Sequence, residues 1–238
     1  MNNTYSFIGL LLTLIAIGGC RNQDPAETPP APLTFIQQAP RQASPRKPPL
    51  LVLLHGYGAD ERDLLSLVSQ LDPRLAIASP RAPIAVGDGG YAWFWGGDNA
   101  VDLEDARRSV LLFLDRAVEA LSADPRRVYI AGFSQGAMLT LAIVLTEPQK
   151  IAGAAVMSGR LSPGLLRGLP AIDFLRGFPL LITHGTEDTV TPIRFGREIR
   201  DALAPLSLDL DYGEFVAGHA ISDETVHALD EWLKERLP

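Results

Sequence analysis

The stretch Val128 to Leu145, VYIAGFSQGAMLTLAIVL, is where the reading of this chain is decided. Its first four residues are a short apolar run, which is how a strand buried on both faces reads. From Gln135 to Leu145 the apolar run is long enough for a helix. Between them Gly132-Phe133-Ser134-Gln135-Gly136 fits the pattern Gly-x-Ser-x-Gly. In a strand-to-helix setting, small flanking residues let a serine occupy a sharp, strained turn that exposes its Oγ above a sheet, as a nucleophile requires. The plainer alternative is a tight turn that carries a solvated serine.

Outward from this stretch the same alternation continues. Leu50 to Leu54 is a continuous apolar strand, and Asp60 reads as the N-cap of a helix in which Leu64, Leu67, Val68 and Leu71 recur at helical spacing. Leu75 to Ser79 is a further strand, followed by a loop rich in glycine and aromatics from Gly87 to Ala100. A helix follows with Leu103, Ala106, Val110, Leu114, Ala117 and Leu121 on one face, broken at Asp124-Pro125. Beyond Leu145 come strands at 154–157, 180–184 and 208–215, with helices at 192–203 and 223–237. Strands that alternate with helices predict an α/β fold, a mostly parallel central sheet with helices on both faces. Ligands bind such sheets at the carboxyl ends of the strands, so the residues just after each strand are the ones to examine.

The 238 residues suffice for one full-sized domain, read here as 50–238. A net charge of −7 gives no broad cationic surface, which argues against nucleic acid and anionic headgroups and favours a small uncharged or cationic substrate. Residues 1–20 read as a signal peptide. The apolar run Phe7 to Gly19 is too short to span a bilayer, and Ile17-Gly18-Gly19-Cys20 resembles a lipobox, making Cys20 the candidate lipidation site. This predicts an exported lipoprotein that meets membrane only through its N-terminal anchor; the alternative is an ordinary secretory signal or a loosely membrane-associated N-terminus. Arg21 in place of Asp points to the outer membrane, facing the periplasm, if the host has two membranes. Residues 21–49 are rich in Pro, Ala and Gln and read as a linker, with a candidate edge strand at 33–37. With one cysteine no intramolecular disulfide can form.

A serine hydroxyl needs a base within hydrogen-bond reach, and the base needs an orienting acid. Of the four histidines, His55 precedes the serine, His227 falls on the polar side of the last helix, and His184 sits close in sequence to the acid candidate. That leaves His219, in a loop after the last strand. For the acid, Asp188 lies in the turn His184-Gly185-Thr186-Glu187-Asp188 directly after a strand, with Glu187 as the alternative. An oxyanion needs two backbone donors. Gln135 N–H supplies one, and Tyr57 N–H in His55-Gly56-Tyr57-Gly58 is the choice for the second, unless those glycines serve turn geometry alone. Gly87-Asp88-Gly89-Gly90 lacks the spacing of a phosphate loop, and no metal-ligand spacing or cofactor motif is visible.

The segments Leu51 to Glu61, Ser79-Pro80-Arg81-Ala82-Pro83, Trp93-Phe94, Gly132 to Gly136, Ser158-Gly159-Arg160, His184 to Asp188 and Gly218-His219 together resemble the bacterial phospholipase/carboxylesterase family, relatives of the acyl-protein thioesterases. The resemblance runs from about Leu50 to the C-terminus. It implies the α/β-hydrolase fold, a triad of Ser134, Asp188 and His219, and oxyanion donors at Tyr57 and Gln135. It also implies action on carboxylic or thioester bonds. The expected activity is a serine carboxylesterase acting on short- to medium-chain esters. The alternatives are a thioesterase or lysophospholipase with the same triad, and a binding lipoprotein that keeps the fold without turnover. Gly159 to Phe178 is too short for a large cap domain, so the site should be open, with Tyr91, Trp93, Phe94 and Trp95 as candidate walls for the substrate; the alternative is that these aromatics pack into the core. A homodimer built on an exposed patch is compatible with the sequence.

Overall fold

The computed structural model describes residues 30–87, 89–95, 100–162, 165 and 172–237. Cys20, the signal-like segment and the first part of the linker lie outside the described residues, as do Gly96 and Gly97. In chain order the strands and helices are β1 (Phe35–Gln38), β2 (Leu50–Leu54), β3 (Ala76–Pro80), β4 (Ile84–Val86), β5 (Gly90–Ala92), α1 (Ala100–Ala120), β6 (Val128–Phe133), α2 (Gln135–Thr146), β7 (Gly153–Met157), α3 (Ile172–Leu175), β8 (Pro179–Gly185), α4 (Arg194–Leu203), β9 (Asp209–Phe215) and α5 (Asp223–Arg236). Seven strands form one sheet in the order β1-β3-β2-β6-β7-β8-β9. All neighbours are parallel except β1, which runs antiparallel to β3 and pairs Phe35 with Pro80 and Gln38 with Ile77.

Burial on both faces explains the unbroken apolar strands. Along β2, Leu50, Val52 and Leu54 face a core shared with α1, α2 and α4, while Leu51 and Leu53 face a second core shared with α5 and the Asp63–Gln70 segment. Helix α2 is buried from Gln135 to Leu145, so it has no polar face, as a helix enclosed on all sides requires. Among the described residues no cap domain stands between β7 and β8, where α3 is a single turn, and no helix is long and apolar enough to cross a membrane.

Three expectations change. The edge strand forms, but at Phe35–Gln38, so the sheet begins before residue 50. The helix expected after Asp60 is a 3₁₀ helix, Asp63–Gln70. The Asp60 side chain accepts from Arg62 N–H two residues on, an Asx turn that delays the helix, although Leu64, Leu67 and Val68 are still buried as the spacing predicts. The loop at 87–100 contains part of a hairpin, β4–β5, whose second strand reaches back toward the Gly56–Gly58 turn through a bridge between Tyr91 and Ala59.

Candidate active site

Strand β6 delivers Ser134 at the carboxyl end of the sheet, at φ 53° and ψ −112°, outside the allowed wells for a residue with a side chain. The strain sits on the serine itself. The flanking glycines answer a different need, since a Cβ on Gly132 would stand 2.3 Å from the Gly136 carbonyl oxygen, and one on Gly136 2.1 Å from the Leu54 carbonyl oxygen. They let α2 press against β2 and β6. Ser134 N–H donates to Met157 O at 3.0 Å and its carbonyl accepts from Met138 N–H at 3.1 Å, which holds the turn from both sides.

His219 and Asp188 arrive on the loops after β9 and β8. The two loops are laced together where Thr186 N–H donates to Phe215 O and Glu187 N–H to Ala217 O, at 2.8 and 3.0 Å. That approach excludes any side chain at Gly185, whose Cβ would meet the Ala217 oxygen at 2.4 Å. His219 Nδ1 donates to Asp188 Oδ2 at 2.7 Å, which leaves Nε2 to accept from Ser134 Oγ at 2.8 Å. Asp188 is buried, and its other oxygen accepts from Val190 N–H and Thr191 N–H at 2.9 and 2.7 Å. Its carboxylate is thereby held in place. Glu187 is exposed and lies outside this line. The imidazole also packs on Phe133, with ring centroids 4.9 Å apart.

The Gly56 backbone comes close to the nucleophile, where an added Cβ would stand 3.4 Å from Ser134 Cβ, and Tyr57 and Gln135 each follow one of these two residues in sequence. Gln135 is the first residue of α2, where a helix leaves its N–H unsatisfied by any internal partner. The Tyr57 turn is braced from several directions. Gly58 N–H donates to Tyr91 O and Tyr91 N–H to Ala59 O, both at 2.9 Å. Beneath it the buried Glu61 takes two hydrogen bonds of 2.6 Å from Arg81, which hold its carboxyl near 2, well below the ordinary 4.5. His55 is buried, and burial lowers its tendency to charge. Its Nδ1 donates to Gly56 O at 2.7 Å and its Nε2 accepts from Ala82 N–H at 3.1 Å, a neutral tautomer fixed from both sides.

The expected aromatic wall is largely turned inward. Trp93 and Phe94 are 1% and 3% exposed, so they have no surface to offer a substrate, whereas Trp95 is 54% exposed and Tyr57 59%. Loop aromatics carry no periodicity that would have told the two orientations apart. His184, set aside in the sequence, is buried, and its Nε2 donates to Thr191 O at 2.6 Å, close against Gly196. His227 is exposed. No cluster of side chains able to hold a metal ion occurs among the described residues. A cavity of about 630 Å³ edged by Pro49, Leu121, Arg127 and Leu237 lies at the amino ends of the strands, opposite the serine.

A parallel sheet with a strained serine after its central strand, and a histidine and aspartate after its last two, defines an α/β hydrolase. The model of the Phospholipase/Carboxylesterase family matches residues 39–237, and the chain belongs to that family. Acyl-protein thioesterase 1 of Kluyveromyces lactis is 30% identical over 229 residues, 87% of this chain and 99% of that protein. Carboxylesterase SOBER1 of Arabidopsis thaliana is 29% identical over 136 residues, 56% of this chain and 58% of that protein. The chain spans about half the length of several of the curated relatives it matches. The crystal structure of esterase PE8 superposes with a TM-score of 0.76 at 27% identity, covering 87% of this chain and all of that one.

Proposed function

We propose that this protein is a serine carboxylesterase that hydrolyses short- to medium-chain carboxylic esters through an acyl-enzyme on Ser134. The observation that carries the reading is the hydrogen-bonded line from Ser134 Oγ through His219 to the buried Asp188 carboxylate. Ser134 Oγ attacks the ester carbonyl carbon while its proton passes to His219 Nε2. The oxyanion accepts from Tyr57 N–H and Gln135 N–H. Collapse breaks the bond to the alcohol oxygen, which takes the proton from His219, and the alcohol leaves. Water then attacks the acyl carbon, gives a proton to His219, and releases the acid as the proton returns to Ser134 Oγ.

A fluorophosphonate probe should label the native chain at Ser134 and fail on Ser134→Ala, with kcat lowered by about 10⁴-fold or more in that variant. Undiminished turnover by Ser134→Ala would defeat the reading. With no cap among the described residues and Trp95 and Tyr57 exposed, the acyl chain finds a short apolar surface, worth at most about 0.8 kcal/mol per methylene. kcat/KM should rise from acetyl to butyryl or hexanoyl esters and then level, without activation at a lipid–water interface. A rise through palmitoyl esters with a jump at the micelle concentration would mark a lipase instead.

The K. lactis relative supports a second reading, hydrolysis of acyl thioesters by the same residues. Matched oxygen and thiol esters of one acyl chain separate the two. Export as a lipoprotein anchored through Cys20 belongs to the same proposal, supported by the lipobox-like Ile17-Gly18-Gly19-Cys20. Mass spectrometry of the exported protein should find acyl groups on Cys20, and an unmodified cysteine would refute it.

A further inference from the structure

The two backbone donors assigned to the oxyanion lie far apart in sequence, one after β2 and the other at the start of α2. A buried chain of hydrogen bonds runs between them. The Gln135 side-chain amide grips the neighbouring loop with both ends: Trp93 N–H donates to its Oε1 at 2.8 Å, and its Nε2 donates to Phe94 O at 2.7 Å. A donor on one side and an acceptor on the other fix which way the amide faces. Trp93 then reaches across with its indole, whose Nε1–H donates to His55 O at 2.9 Å, while its ring lies against the His55 ring at a centroid distance of 5.3 Å. His55 Nδ1–H in turn donates to Gly56 O.

Peptide planarity gives the last two bonds their consequence. The Gly56 carbonyl and the Tyr57 N–H belong to one trans peptide unit and point in opposite directions, so anchoring the carbonyl aims the N–H. The His55 carbonyl likewise orients the preceding plane. Gln135 supplies the other donor from its own backbone, so its side chain and Trp93 make a rigid tie between the two donor-bearing segments. Packing alone does not require this arrangement, because a phenylalanine would fill most of the same space with no indole N–H.

We propose that Trp93, held by the Gln135 side chain, is a positioning residue that fixes the spacing between Tyr57 N–H and Gln135 N–H across the oxyanion. The inference rests on the serine-esterase reading. An electrostatic site owes its effect to donors already aimed before charge develops, so a donor displaced by a fraction of an ångström loses much of its value. Ground-state binding depends on it far less.

The test compares Trp93→Phe and Gln135→Met with the native chain. Turnover of a butyryl ester and fluorophosphonate labelling of the native chain check the esterase reading first. If both are absent, that reading falls and this inference with it. Given an active native chain, each variant should lower kcat at least about tenfold with KM within about twofold, since removing one such donor outright costs about 10²–10³. Affinity for an alkyl boronic acid, which forms a tetrahedral adduct on the serine, should fall in parallel, whereas inhibition by the product acid should not. The double variant should be little worse than either single one, because both cut the same tie. Variants that melt lower yet keep native kcat and boronate affinity would overturn the proposal and leave Trp93 as packing. Gln135→Met carries the same readouts should Trp93→Phe fail to fold.

Discussion

At Asp188 the whole carboxylate is committed, one oxygen to His219 and the other to two backbone N–H groups, whereas its neighbour Glu187 is exposed. Asp188→Asn replaces an acceptor with an amide that favours the wrong imidazole tautomer, so kcat should fall by about 10⁴ while Glu187→Gln stays near native. Steady-state kinetics of the pair decides this, and the reverse order would hand the role to Glu187. Glu61 makes a different kind of prediction. Its folded carboxyl titrates near 2, below the ordinary 4.5, because Arg81 stabilises the charged form. Its contribution to stability is therefore complete above the unfolded value and is lost as pH falls through the folded one. The melting temperature of Glu61→Gln should lie below that of the native chain by a constant amount at neutral pH, with the gap closing as pH drops from about 4.5 toward 2. A gap unchanged at pH 3 would show that the ion pair is not its origin. Both residues stood in motifs that the sequence displayed. Only Asp188 was assigned a partner there, since nothing in spacing links Glu61 to an arginine twenty positions on.

Among the elements, the β4–β5 hairpin braces the turn that carries Tyr57. Three residues pair with three, and its return strand lies so close to the Tyr57 turn that a Cβ on Gly90 would stand 2.1 Å from the Gly58 carbonyl oxygen. Backbone cannot yield as a side chain can. Gly90→Ala should cost about 1–3 kcal/mol in chemical denaturation and should also lower kcat, because relieving the clash moves the turn that carries the Tyr57 N–H. Gly89→Ala, with nothing within 4 Å, should leave kcat near native despite the strain of a φ of +99°. Equal kcat in the two variants would remove the hairpin from the machinery of the site. The hairpin was not visible in the sequence, because its strands are three residues long and the second sits in a glycine-rich run that reads as loop.

On the scale of the whole molecule, β1 closes one edge of the sheet. It covers β3, whose five residues are all buried. Deleting residues 1–38 uncovers the backbone groups of this buried strand, a template for pairing with a second chain. The truncated protein should melt lower and associate in size-exclusion chromatography, while a chain starting at residue 30 keeps the native profile. A monomeric, equally stable product of the longer deletion would show that β1 is dispensable. The strand lies within residues 21–49, where a proline-rich composition outweighs four residues of strand character in any reading by composition.

The sequence by itself determined the alternation of strands and helices, the serine at the turn after Val128–Phe133, and the histidine and acid at later strand ends. Those features are local: apolar periodicity, the Gly-x-Ser-x-Gly spacing and the order of residues after strands express short-range constraints on the backbone. Tertiary structure alone decided which aromatics face inward, which glutamate meets Arg81, and that Trp93 joins Gln135 to His55. Each of these depends on side chains brought together from 20 to 42 positions apart by the packing of the sheet, where the free energy of burial selects a partner that no local pattern encodes.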